Sequence, residues 1–392
     1  MGKKIRIAIA GMANRATAFI GEILRRDDCE LVALCDKYSS RIKYMAERFG
    51  VRNAKQFTDY RKCLKEVDFD AVMIFTPDFA HAAVAVPSLD AGKYVFVEKP
   101  LDVTEVKCLK IIDADRRAGG KTYVGHNLRH APLYKKIKSM LEEGVAGKLL
   151  TIQSDEFYDG GRTYFRRWNR LKKFGGGLWI TKSCHDFDLI QWLAGTRPLS
   201  VAAFSAMTYY KEKEGAAKYC GVCPFLDDCF DAFDEKKYPK DWLNHIMSAV
   251  PDGMPRPDLC LYNSDKDTFD HGIASIKFEE DIFATYTVNV VAGFSNRTIR
   301  ISGTKATIDG NLEKQEITVH RRDPSSVEKF LAIDPQSAGG HGGADESIVP
   351  DFLSFVRGEI RPAVAPSEAV MAVKLGLAAQ KSSSTGRIQH RL

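Results

Sequence analysis

An α/β fold in two parts is what this sequence predicts: an N-terminal doubly wound parallel sheet, then an α/β domain with an open, largely antiparallel sheet. Three observations predict it. Strand and helix patterns alternate through the first 126 residues, and longer β-branched stretches replace them afterwards. The length of 392 residues is too great for one ordinary domain and suits two.

Residues 5–10 form a short apolar run closed by Gly11, and Phe19, Ile20, Ile23 and Leu24 recur behind it at helical spacing. Residues 31–35 make a second buried strand ending at Asp36, and helices follow near 40–49 and 60–67. Residues 71–75 are a third strand, stopped by Thr76-Pro77, and a helix over 79–91 ends at Gly92. Residues 94–97 are another strand, a helix over 104–118 closes at Gly119-Gly120, and 122–125 complete the sheet. Such alternation implies right-handed crossovers between parallel strands.

Beyond His126 the texture changes. A helix spans 133–142. Strand patterns follow at 149–157, 200–209, 273–278, 282–290, 298–301, 306–308 and 316–320, parted by turn signals such as Asp309-Gly310-Asn311. Residues 211–262 interrupt them with a polar, aromatic insertion that carries cysteine and proline. Helices over 344–356 and 368–380 close the chain, and 382–386 read as a mobile tail. The expected domains are 1–126 for a dinucleotide, 127–365 for substrate and oligomerisation, and 366–392 as a C-terminal helix and tail.

Composition removes several classes of function. A hydrophobic fraction of 44% supports a full core and argues against disorder. A net charge of +6 is mild for this length and its basic residues are scattered, so no nucleic-acid partner is expected. No apolar run is long enough to span a membrane. The basic start resembles a signal peptide, but its apolar segment is short for one and reads better as a strand. Cys29, Cys35, Cys63, Cys108 and Cys184 stand singly in apolar or helical surroundings, as buried thiols of a reducing, cytoplasmic compartment do.

Gly11-Met12-Ala13-Asn14-Arg15-Ala16 follows the first strand where a dinucleotide-binding Gly-x-Gly-x-x-Gly would stand, in the degraded form Gly-x-Ala-x-x-Ala. Gly11 can make the tight turn, while Ala13 places a methyl where a pyrophosphate approaches backbone. Asp36, 25 residues after Gly11, ends the second strand, where a carboxylate accepts both ribose hydroxyls and repels a 2′-phosphate. That favours NAD, and Lys37 and Arg41 nearby leave NADP open. A helix cap is the lesser alternative for Asp36.

Glu98-Lys99-Pro100 places Lys99 at the carboxyl end of a parallel strand, beside the position of a nicotinamide ring. After Gly175-Gly176-Gly177, His185 stands at the start of a helix whose apolar face is Leu189, Ile190 and Leu193. Removing hydride from a carbinol carbon requires its hydroxyl proton to leave, and an imidazole of pKa about 6.5 can accept it. An ammonium beside it stabilises the developing alkoxide. The two groups would meet across an interdomain cleft. Asp270-His271, at a strand start, could line the same cleft, although a packed strand-edge histidine is the plainer reading. A separate cluster, Cys220, Cys223, Cys229 and Cys260, suits a structural zinc first. The step Cys223-Pro224 also occurs in iron–sulfur sites, and free thiols or disulfides are the plainest alternative.

Glu98-Lys99-Pro100, Thr76-Pro77 with His81 four residues on, His126-Asn127-Leu128-Arg129 and the glycine-rich lead into His185 occur in an order that resembles the Gfo/Idh/MocA family of glucose–fructose oxidoreductase and inositol dehydrogenase. The resemblance covers essentially the whole chain. It implies an N-terminal Rossmann domain, bound NAD(P), sugar or polyol substrates, and homodimers or homotetramers packed through the second sheet. Candidate cofactor contacts are then Gly11, Ala13, Asn14, Arg15 and Asp36 from the first half of the sheet, and Thr76, Pro77, His81, Glu98, Lys99 and Asn127 from the second. Arg129, Thr181, Asp186, His271 and His341 are candidate substrate contacts.

One departure matters. Family members usually carry Asp four residues before the catalytic His, where this chain has Thr181 followed by Lys182. It resembles a branch with Lys-Ser-x-His, a Cys-rich insertion and a late His-Gly-Gly-x-Asp, here His341 to Asp345. Lys182 would favour an anionic or carbonyl-rich substrate or shift the pKa of His185, and it joins Lys99 and His185 as a catalytic candidate. A solvated surface lysine is its even alternative. Three functions follow: a dehydrogenase or reductase of a sugar, polyol or glycoside; a glycosidase that oxidises transiently to permit elimination; and a non-catalytic NAD-binding regulator. Retention of both Lys99 and His185 argues against the last.

Overall fold

The computed structural model describes residues 3–337 and 339–390. Strands β1 (Ile5–Ala10), β2 (Cys29–Cys35), β3 (Lys55–Phe57), β4 (Ala71–Ile74), β5 (Tyr94–Glu98) and β6 (Thr122–Gly125) form a parallel sheet in the order β3-β2-β1-β4-β5-β6. β4 is buried at every position, as a strand covered on both faces must be. Helices α1 (Asn14–Leu24) and α2 (Ser39–Phe49) bury Phe19, Ile20, Ile42 and Met45 on one face. Helices α3 (Tyr60–Glu66), α4 (His81–Asp90) and α5 (Glu105–Ala118) bury Cys63, Val84, Leu89, Cys108 and Ile111 on the other. Local chemistry sets the ends: Thr104 caps α5 by accepting from the Lys107 amide, and Gly119 closes it in the left-handed region. The strand order reverses between β1 and β4, which opens a crevice at their carboxyl ends.

The second sheet has nine strands: β7 (Leu149–Phe157), β8 (Pro198–Ala206), β9 (His271–Phe278), β10 (Phe283–Asn289), β11 (Asn296–Gly303), β12 (Ala306–Asn311), β13 (Glu316–Arg322), β14 (Ser325–Leu331) and β15 (Gln389–His390). Their order is β14-β13-β12-β11-β7-β10-β9-β8-β15, and only the pair of β7 with β10 is parallel among those described. β9 alternates exposed and buried residues, the mark of a sheet with one covered face. Helices Pro132–Glu142 and Cys184–Ala194 lie on that face, and Phe204, Ile273 and Phe283 stand exposed on the other.

Helix Pro366–Thr385 belongs to both cores. Ala369, Val370 and Val373 pack with the parallel sheet, while Ala372, Leu375 and Ala379 pack with the nine-stranded one. A helix buried on several sides loses its amphipathic stripe. The mobile tail expected over 382–386 is corrected: Ser382 to Thr385 form the last turn of this helix. The Ser382 hydroxyl accepts from the Ala203 amide of β8 at 2.9 Å, and β15 then pairs with β8. No described helix is long and apolar enough to cross a membrane.

Candidate active site

Gly11 sits at φ +92, where an added Cβ would lie 2.4 Å from the Thr76 nitrogen. Only glycine lets the loop after β1 pass so close to the end of β4. Asp36 braces that loop, accepting from the Met12 amide at 2.7 Å and the Tyr38 amide at 2.9 Å. Its oxygens keep lone pairs beyond these two bonds. Asn14 begins α1 after Ala13, which stands at the helix N-terminus facing the crevice.

Across the loop lies part of the insertion, a contact with no sequence signal of its own. His245, on helix Lys240–Met247, donates Nε2 to the Met12 carbonyl at 2.7 Å. Asp252 accepts from the amide and hydroxyl of Ser40 at 2.9 Å, at the start of α2.

Several predicted contacts are committed elsewhere. Arg15 donates to Glu98 at 2.7 Å and, through two nitrogens, to Asp345 at 2.6 and 2.7 Å, so its guanidinium ties the loop to β5 and to the C-terminal segment. Asn127 Nδ2 and His341 Nδ1 also reach Asp345, each at 2.9 Å. Burial opposes ionisation of Asp345, yet His341 and Arg15 hold its carboxyl well below the usual range. His81 is buried between two carbonyls, Pro100 at 2.8 Å and Thr76 at 3.1 Å, and joins the ends of β4 and β5.

Arg129 is buried and paired with Asp188 through two bonds of 2.8 Å and with Glu368 at 2.8 Å. Asp186 is wholly buried and accepts from Arg297 and Tyr286. His271 is half exposed and held by Asp270 at 2.7 Å, and among the described residues no hydrogen bond or ion pair joins it to His185.

Lys99 and His185 do converge. Lys99 Nζ lies 3.4 Å from the Thr181 carbonyl, one turn before His185. Burial first, then the Lys99 charge, pushes the His185 imidazole well below its ordinary value. His341 stands beside it with ring centroids 5.9 Å apart, on a residue at φ +53. Asp78, which the sequence did not mark, is buried next to Lys99 and is pushed up to about 7, mainly by burial.

Lys182 is not a surface residue. It is buried and pairs with Glu156 at 2.5 Å, over the Tyr158 ring. Glu156 also takes Arg297 at 2.7 Å, and Arg297 takes Asp186 at 2.8 Å. The four charges alternate and sum to zero. Burial lowers the pKa of Lys182, and Glu156 opposes that shift. Glu156 and Arg297 lie on β7 and β11, where one acidic and one basic residue in a strand pattern give no sign of the pairing.

The residues present fit a dinucleotide and a hydroxylated substrate. Thr76 Oγ1, Asn127 Oδ1 and His185 Nδ1 are buried beside the crevice without a protein hydrogen-bond partner, and such atoms ordinarily have one. The four insertion cysteines do not form the expected zinc centre: among the described residues no group of three or more His, Cys, Asp or Glu is placed to hold a metal ion. The reason is local. Cys220 and Cys260 are held apart on paired segments, and Cys223 and Cys229 lie in successive turns.

A glycine loop and an acidic strand end in a parallel sheet, with a lysine turned toward a histidine on a helix that packs against a second sheet, define a nicotinamide-dependent oxidoreductase that works on CH–OH groups. The chain belongs to the Gfo/Idh/MocA family. Residues 5–126 match its NAD-binding Rossmann fold, and residues 138–390 match its C-terminal alpha/beta domain. Among curated proteins it is 26% identical to YteT of Bacillus subtilis, over 88% of both chains. It is 31% identical to inositol 2-dehydrogenase of Salmonella typhimurium over 42% of this chain and 46% of that one. The solved WlbA dehydrogenase of Bordetella pertussis, in complex with NADH and UDP-GlcNAcA, superposes with a TM-score of 0.71 at 19% identity, over 100% of this chain and 99% of that one. Myo-inositol 2-dehydrogenase of Lactobacillus plantarum superposes with a TM-score of 0.72 at 18% identity over the whole of both chains.

Proposed function

We propose that the protein moves hydride between NAD and a hydroxyl-bearing carbon of a sugar, polyol or glycoside, with Lys99 and His185 as catalytic residues. The observation that carries this reading is their convergence, Lys99 from the end of β5 and His185 from helix Cys184–Ala194. When bound, the nicotinamide supplies the hydride acceptor. Lys99 holds the substrate hydroxyl and stabilises alkoxide character on it, which lowers that hydroxyl's pKa. His185 can then take the proton although its own basicity is weak. Lys182, neutralised by Glu156, sets the position and charge around His185 rather than presenting a bare cation. Asp36 favours NAD over NADP. The exposed Phe204, Ile273 and Phe283 support pairing of copies through the open sheet. Nine free cysteines support a reducing, cytoplasmic setting.

The test is a panel of polyols, sugars and aryl glycosides scored for NADH formation, with released aglycone measured in parallel. Lys99→Met should lower kcat at least about a hundredfold while NADH binding stays within about twofold. Turnover that survives in Lys99→Met refutes the assignment, and aglycone release without net NADH replaces the dehydrogenase with the transient-oxidation glycosidase.

A further inference from the structure

Buried and half-buried arginines of this chain are mostly paired: Arg15 with Glu98 and Asp345, Arg129 with Asp188 and Glu368, Arg297 with Glu156 and Asp186. Arg41 and Arg167 break the pattern. Arg41 is buried on α2, with Nε unpartnered and Nη2 on the Met254 sulfur, a weak acceptor, at 2.5 Å. Arg167 is half-buried after helix Gly161–Arg166, its guanidinium carbon 5.6 Å from the centre of the Trp242 ring. Among the described residues neither reaches a carboxylate at ion-pair distance. The Asp36 charge supports Arg41, but the Asp36 oxygens already face the Met12 and Tyr38 amides. Arg166 also lacks an ion pair, yet it donates to the Asp231 carbonyl at 2.5 Å and so anchors the insertion.

The two unpaired cations stand together. Burial lowers the pKa of Arg167, the phenols of Tyr158, Tyr164 and Tyr238 oppose that shift, and the Arg41 charge adds to it. Both cations also act on His245, which burial first and these charges after it lower to about 4. His245 Nε2 meets the Met12 carbonyl at 2.7 Å, so the pair sits at the Gly11–Ala13 turn, where a dinucleotide brings its diphosphate. By itself that turn is a poor cradle. Ala13 carries a methyl where the fingerprint has its second glycine, and Arg15 is committed to Glu98 and Asp345. Unpaired buried charge is costly, and stacking on Tyr38 and Trp242 offsets only part of that cost. A diphosphate carries the two negative charges that two guanidiniums match.

We propose that Arg41 and Arg167 take the diphosphate of the dinucleotide together with the Gly11 loop, and that the insertion holds them in place for it. Asp252 on Ser40, Asp241 on Arg48 and His245 on Met12 fasten the insertion along α2 and the loop. The proposal rests on the dinucleotide reading of the crevice and not on the roles of Lys99 or His185.

Calorimetry of the full chain with NADH, ADP-ribose and 2′-phospho-ADP-ribose tests it, with the melting temperature of the ligand-free protein recorded beside each titration. Arg167→Gln and Arg41→Gln should each weaken NADH and ADP-ribose alike, at least about tenfold. Both should flatten the loss of affinity that added salt causes in the wild type. Arg167→Lys should recover part of the affinity. Ligand-free Arg167→Gln should melt no lower than the wild type, because the charge removed had no partner. A lower melting temperature with unchanged affinity marks a structural arginine and overturns the proposal. Unchanged ADP-ribose affinity in a fully stable Arg167→Gln also overturns it, and leaves the guanidinium for an anionic group of the substrate. A loss confined to 2′-phospho-ADP-ribose overturns it in favour of a 2′-phosphate contact. A wild type that binds neither NADH nor ADP-ribose refutes the dinucleotide reading itself, and the proposal with it.

Discussion

Replacing Glu156 with Gln leaves Lys182 and Arg297 buried with only Asp186 between them. An uncompensated buried charge of this kind costs about 3–5 kcal/mol. Lys182 can escape by losing its proton, at about 1.36 kcal/mol for each pH unit between its solution pKa and the working pH. That ceiling is about 5 kcal/mol at pH 6.5 and about 2.6 kcal/mol at pH 8.5. The destabilisation of Glu156→Gln should therefore shrink as pH rises. Lys182→Met leaves the opposite excess, two carboxylates on one guanidinium, which protonation relieves, so its penalty should shrink as pH falls. Urea unfolding of the wild type and both variants at pH 6.5 and 8.5 measures this directly. A Glu156→Gln penalty below about 1 kcal/mol at pH 6.5, or the same pH trend in both variants, refutes the alternating square of charges.

Gly11→Ala places a methyl 2.4 Å from the Thr76 nitrogen on a left-handed residue, so NADH affinity measured by fluorescence should fall at least about tenfold. Asp345→Ala strips Arg15 of two hydrogen bonds and Asn127 and His341 of one each, which should lower stability by about 2–4 kcal/mol and raise the KM for cofactor. His81, His126, His130, His185 and His245 are all held below their ordinary pKa by burial, so the unfolded chain binds more protons than the folded one below about pH 6.5. Stability should then fall as pH drops through 6, with each histidine approaching about 1.4 kcal/mol per unit. Asp78, raised to about 7, runs the other way and offsets one of them. A melting temperature that stays level from pH 7 to pH 5 contradicts this.

Five strands of the parallel sheet were legible because each is a largely apolar run ended by Gly, Pro or Asp. β3 escaped, being three residues long with its two lysine and glutamine side chains exposed. β14 escaped because it is an exposed edge strand with no alternation. Lys99 and His185 could be read from their places at element ends, where side chains face a crevice. The carboxylates that organise the site could not. Asp78 and Glu156 act through partners distant in sequence, and Asp345 stood out only as the end of a His-Gly-Gly-x-Asp motif, with no sign of its bonds to Arg15 and Asn127; a single acidic residue looks the same whether it is solvated or buried against a cation. The partners of Arg129 and Asp186 were hidden for the same reason, since each is paired with a residue that only folding brings near.

Sharing helix Pro366–Thr385 between two cores has a mechanical consequence. Its side chains are an axle fixed into both halves, so neither half can swing open without stripping apolar surface from the other. Traffic into and out of the crevice must then depend on loop displacement, and cutting the chain before residue 366 should cost both halves their packing at once.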